Sequence, residues 1–176
     1  MEKPFITKVR VIRMLDSDAD LSHIGEYTDR FQDWAICRCC GEYLALVDED
    51  HVITDSGMYY RFFLPYAGGE TPGTEDYQKY GKQDYARMER ICRGDLAYFG
   101  IVAEAEVTYH VHLHCCSRLQ RFTSAGLWGI ESDCEENDWH EIMESQLTDL
   151  KTHLKHFNVD TSNWDELTAN IEIEDK

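Results

Sequence analysis

The side chains with the most restricted chemistry lie in two short stretches, Cys37-Arg38-Cys39-Cys40-Gly41 and His110-Val111-His112-Leu113-His114-Cys115-Cys116. The first contains C-x-x-C-G, the knuckle spacing of structural zinc sites. Thiolates at i and i+3 converge on one cation, and the glycine lets backbone amides turn towards the sulfurs. In the second, strand alternation puts His110, His112, His114 and Cys116 on one face. Two imidazoles two residues apart suit the same metal. The expected Zn2+ ligands are Cys37 with Cys40 and His112 with His114. Such a site is coordinatively closed, and so structural rather than catalytic. The plainer reading of the same residues is a set of small buried thiols and a polar strand face.

Other constellations are incomplete. His140-Glu141-Ile142-Met143-Glu144 lacks the second histidine of a metalloprotease helix, and its Ile142 and Met143 belong to a core face. Asp16, Asp18 and Asp20 are spaced like a calcium loop without its glycine or its closing glutamate. Glu131 and Asp133 read as acids at a helix N-terminus, where the dipole favours them, rather than as an acid–base pair. One enzymatic alternative stays open: a zinc-dependent hydrolase using the His/Cys strand cluster, a carboxylate and an open coordination position.

Charge supplies the second argument. The chain of 176 residues carries a net −17, and residues 131–176 alone hold 14 acidic and three basic side chains. Direct binding to a phosphate backbone is disfavoured, because such binding depends on Lys and Arg releasing counterions. A negative face instead steers a protein onto a basic partner. The expected contact acids are Glu135, Glu136, Asp138, Glu141, Glu144 and Asp149. The expected partner is a basic protein or nucleoprotein, such as a CRISPR effector or another nuclease. A solvated surface that keeps the protein soluble is the alternative.

The elements that must position these residues follow from periodicity. Phe5 to Leu15 alternates as a half-buried strand, with Phe5, Thr7, Val9 and Val11 expected inside. Residues 34–47 read as two short strands about Cys40-Gly41, and 58–64 as another. Thr74 caps a helix over 75–93 that Gly94 ends, with Gly81 its weak point. Leu96 to Cys116 is one bent strand or a tight pair, and Ser132 with Glu135 fits a capping box. A strong amphipathic helix follows, with Trp139, Ile142, Met143, Leu147, Leu150, Leu154 and Phe157 at 3/4 spacing, then a short helix capped by Ser162. Strands and helices in runs predict one α+β domain, a mainly antiparallel sheet with two principal helices. There is no signal peptide and no apolar run of membrane-spanning length, so a cytoplasmic protein with seven reduced cysteines is expected.

LSHIGEY, DYARMERICRGDLAYFGIVAEAEV and GLWGIESD, followed by an acidic helix with QLTDLK, resemble a family of uncharacterised proteins carried by plasmids and phages, over residues 20–155. The resemblance implies no activity. The CRCCG segment and Cys134 depart from the family pattern, so it implies no metal either. A mobile-element origin implies an anti-defence role, and a small acidic protein is similar in outline to anti-CRISPR and antirestriction inhibitors. Within the GLWGIESD box, Gly126 and Gly129 bracket Trp128, which is expected to be pressed into the core, with an exposed anchor for a partner as the alternative.

Overall fold

The computed structural model describes residues 3–46, 60–111 and 116–176. In chain order the elements are β1 (Phe5–Leu15), β2 (Gly25–Thr28), β3 (Ile36–Cys37), β4 (Phe62–Pro65), α1 (Glu75–Arg93), β5 (Tyr98–Val111), β6 (Cys116–Thr123), β7 (Leu127–Glu131), α2 (Glu136–His156), α3 (Trp164–Thr168) and β8 (Ile173–Asp175). This is the expected α+β fold, mainly antiparallel, with α1 and α2 the two long helices. The chain forms two compact units, Met1–Ala19 with Ala97–Lys176, and Asp20–Leu96. No helix among the described residues is long and apolar enough to cross a membrane.

The first unit is built on β5. One edge of β5 pairs antiparallel with β1, and its other edge is shared by β7 near Tyr98–Ile101 and β6 from Glu104 to Val111. β8 adds to β1 in parallel. Alternation along β5 turns Ala103, Ala105 and Val107 into the core, where they meet Met143, Leu147, Leu150 and Leu154 of α2. Those α2 residues recur at four, three and four positions, so a single helix face is buried.

Four local expectations need correction. In β1 the inward residue is Ile6, while Phe5 and Thr7 are exposed, because a bulge between Ile6 and Lys8 shifts the register there. Ser132 does not cap α2. Its Oγ accepts the Ala97 N–H at 3.0 Å, extending the pairing of β5 and β7, and Glu135 takes the cap position without a side-chain bond. Nor does Ser162 cap α3, whose cap position falls to Asn163. Trp128 is not core either. It remains 47% exposed, its indole resting so close over Gly100 that a Cβ there would strike the ring. The loop is tied to α2 by buried Gln146, which accepts the Gly126 N–H at 3.1 Å.

In the second unit β4 lies between β2 and β3. The expected strand pair about Cys40-Gly41 shrinks to the two-residue β3 and one bridge, Ile36 to Tyr43. Of the strand expected over 58–64, residues 58 and 59 lie outside the described residues, and β4 begins at Phe62. α1 starts and stops as its sequence dictates: Thr74 Oγ1 accepts the Tyr77 N–H at 3.2 Å, and Gly94 ends the helix at φ +77°. Trp34, Tyr43 and Tyr77 pack as an aromatic group against it, with ring centroids 6.0–6.4 Å apart.

Gly81 reads as a weak point by helix propensity alone, and its setting reverses that judgement. The Tyr43 hydroxyl and the Pro65 ring cross α1 at Gly81, filling the space a Cβ would need. Gly81→Ala should therefore lower stability by about 1–3 kcal/mol, as overpacking does, despite a helix-propensity gain of about 1 kcal/mol. A thermal melt checks this, and an unchanged or raised Tm would remove the close approach from the argument.

Candidate functional site

The thiolate loop leaves β3 at Cys37. Cys37 is fully buried, whereas Cys39 and Cys40 are exposed. Two backbone bonds close the turn, Gly41 N–H to the Cys37 carbonyl at 2.7 Å and Cys37 N–H to the Glu42 carbonyl at 2.8 Å. Gly41 sits at φ +75°, a conformation that strains any residue with a Cβ. The result is a group of three sulfurs, Cys37, Cys39 and Cys40, whose Sγ atoms all lie within 4.8 Å of one another.

Helix α1 holds this loop from one side. Lys82 Nζ donates to the Gly41 carbonyl and reaches Glu42 Oε2 at 2.8 Å. Tyr85 donates its hydroxyl to the Arg38 carbonyl at 3.3 Å. Glu89 accepts from Arg38 Nε at 2.8 Å. Positions 82, 85 and 89 are three and four apart, so they form one row on the helix. Sequence reasoning passed over this supporting row, although its spacing was readable.

Chemically the group suits a soft or borderline cation such as Zn2+. Sulfurs on a tetrahedral zinc, each at about 2.3 Å, stand about 3.8 Å apart. Cys37 and Cys39 sulfurs are 2.9 Å apart, so they need open by less than an ångström to share the ion. Three sulfurs fill three of the four tetrahedral positions. Burial, with help from the Cys39 thiol, pushes the Cys37 thiol up to about 11. Cys37 therefore keeps its proton at neutral pH, and a metal must displace it.

The sequence-derived ligand set is only partly placed. Cys37 and Cys40 come together, and Cys39 joins them as the ligand the C-x-x-C pattern skipped. His112 and His114 lie outside the described residues. Among the described residues, His140, Glu141 and Glu144 form no metal-ligand group, and all three are exposed on α2.

The six acids expected to meet a partner are all exposed: Glu135, Glu136, Asp138, Glu141, Glu144 and Asp149. Among the described residues none of them is held in an ion pair. Asp138 accepts a weak bond from the Cys134 thiol at 3.4 Å. By contrast, the carboxylates Glu104 and Glu89 are each paired with arginine.

Comparison with protein-family models, with curated proteins and with solved structures returned no match in any of the three.

Two expectations follow for the thiolates. Cys39→Ser and Cys40→Ser, at exposed positions, should each reduce zinc bound per chain well below one, while Cys92→Ser on α1 keeps it; elemental analysis of the purified variants decides. Absence of stoichiometric metal in the parent protein would leave only a thiol-rich turn. Zinc uptake should also tighten with pH. The Cys37 thiol titrates near 11, so below that value each pH unit should lower the apparent Kd by about tenfold for that proton alone. A chelator competition between pH 6 and 8 measures the slope, and a flat profile would exclude Cys37 as a ligand.

Proposed function

We propose that this chain is a non-enzymatic inhibitor or adaptor. It docks the acidic outer face of α2 onto a basic, nucleic-acid-handling protein, and a zinc at Cys37, Cys39 and Cys40 braces the second unit. The observation that carries the reading is the α2 surface, where six exposed carboxylates stand without ion pairs among the described residues. Unpaired surface acids raise the rate and selectivity of encounter with a positive patch more than they raise intrinsic affinity. The resemblance to plasmid- and phage-borne proteins supports a defence nuclease or a CRISPR effector as the target, met inside the bacterial cell.

A second reading, a zinc-dependent hydrolase, draws on one observation. Three cysteines, two of them exposed, would on binding zinc leave a fourth coordination position of the kind a catalytic zinc keeps for water. The two readings part on chelation. A bracing zinc contributes folding free energy, so its removal lowers Tm; a catalytic zinc can be removed with loss of turnover and an intact fold.

Recovery of a partner from host-cell extract should fall steeply as salt rises from about 50 to 300 mM, because exposed charges are screened over about a Debye length. Combining Glu141→Lys, Glu144→Lys and Asp149→Lys should weaken capture at least tenfold without moving Tm by more than a few degrees. Salt-insensitive capture, or full capture by the reversed variant, would falsify the acidic-face reading.

A further inference from the structure

Along the N-terminal half of α2 runs a groove whose other wall is the chain from Thr168 to Ile173. It consists of two adjoining depressions of about 430 and 330 Å³ that share His140, Met143 and Ile171. Each volume lies in the range of about 300–1,000 Å³ typical of ligand pockets. The smaller depression is mainly apolar, with Trp139, Ile171 and Ile173 around core-seated Met143, whereas the larger one is mainly polar. At one end stands Trp139, fixed by an edge contact with Phe99 at 6.4 Å and by the Arg13 guanidinium 5.4 Å from its ring. The opposite wall is equally fixed, since Ile173 pairs with Val11 and the Lys176 N–H donates to the Arg13 carbonyl at 3.0 Å.

Three carboxylates mark the rim. Glu136, Glu144 and Glu172 line it, all exposed, beside His140, Thr148 and Thr168, and among the described residues no lysine or arginine does. Arg13, the cation beside Trp139, is already held by both oxygens of Asp175, at 2.6 and 3.0 Å. Such a groove asks for an occupant with an apolar side chain for the floor and positive charges for the rim.

Resting on the acidic-face reading, we infer that the groove receives a short extended segment of the partner, in which one aliphatic or aromatic side chain is flanked by lysine or arginine. Helix geometry sets the spacing. Glu136 and Glu144 are eight residues apart on α2, roughly 12 Å along its axis. An extended peptide advances about 3.3 Å per residue, so three to four residues span that distance. The fitting pattern is basic-x-apolar-x-basic, with the apolar residue over Met143 and Ile171.

Two fluorescein-labelled peptides test this, Lys-Lys-Ser-Leu-Ser-Lys-Lys and the same sequence with serine in place of leucine, titrated by fluorescence anisotropy at about 50 mM salt. The leucine peptide should bind at least tenfold tighter. Glu144→Gln with Glu172→Gln should weaken it at least tenfold. Glu141→Gln with Asp149→Gln, which removes the same charge from α2 outside the groove, should change it less than threefold. All four positions are exposed, and matching circular dichroism melts confirm that the variants fold. Equal binding of the two peptides, or equal losses in the two double variants, overturns the groove and leaves a diffuse acidic face. No binding by either peptide also overturns the groove, while the salt dependence of capture from extract separately decides the acidic-face reading.

Discussion

The thiolate loop depends on one buried ion pair, Arg38 with Glu89. Their side chains are only 8% and 15% exposed, and the Arg38 guanidinium also lies 4.0 Å from the centre of the Tyr27 ring. Tyr27 in turn donates its hydroxyl to Glu89 at 2.9 Å, so β2, the loop and α1 meet at one carboxylate. Burial is the largest influence and works against the Arg38 charge, yet the bond to Glu89 and the charge interactions with Tyr27, Glu89 and Cys92 together outweigh it, and Arg38 titrates above its ordinary value. The same burial, with bonds to Cys92 and Glu89, drives the Tyr27 phenol far up. Removing either partner of such a pair typically costs about 3–5 kcal/mol, because the survivor is left buried and charged. Here the cost would fall on the backbone that aims the three sulfurs, since the Arg38 carbonyl and amide are bonded as well.

How much of this was legible depended on how local each determinant is. The caps of α1 are set by a few neighbouring residues, and Thr74 and Gly94 act as their types dictate. The alternation of β5 and the 3/4 stripe of α2 as far as Leu154 are likewise one-element properties, and the core follows both. Phe157, expected to extend that stripe, instead sits exposed at the C-cap, because α2 ends at His156. What failed was set between elements. The bulge in β1 answers to its register with β5, Ser132 to Ala97 thirty-five residues earlier, and Gly81 to Tyr43 and Pro65. Trp128 was misplaced for the same reason, because its seat is a glycine on another strand. In the cysteine cluster, C-x-x-C spacing named the pair a regular knuckle would use. The turn at Gly41 brings Cys39 in as well, which spacing alone does not encode.

The acidic surplus of the chain is not spread evenly over its first unit. On the sheet face turned away from α2, charges stand in register. Glu104 is opposite Arg10 on β1, and Glu106 is opposite Arg121 on β6. Arg10 Nε meets Glu104 at 2.8 Å, and Arg121 lies 3.4 Å from Glu106. Cross-strand pairs of this kind stabilise the sheet and cancel its field at a distance. On α2 the acids have no such partners among the described residues, although Glu136 and Asp138 gain from the helix dipole in the first turn.

Stability alone explains the first-turn acids but not the later ones. Glu141, Glu144 and Asp149 lie beyond the reach of the N-terminal dipole, which fades within one turn. There they only add mutual repulsion, which a fold selected for stability would relieve with a lysine at i+4. The helix has lysines, at 151 and 155, but Lys151 is spent on Asp165 and neither position relieves the groove side. A chain able to place arginine opposite glutamate twice on its sheet leaves this row without ion pairs among the described residues. On the proposed reading, that retained repulsion is what a positively charged partner would relieve.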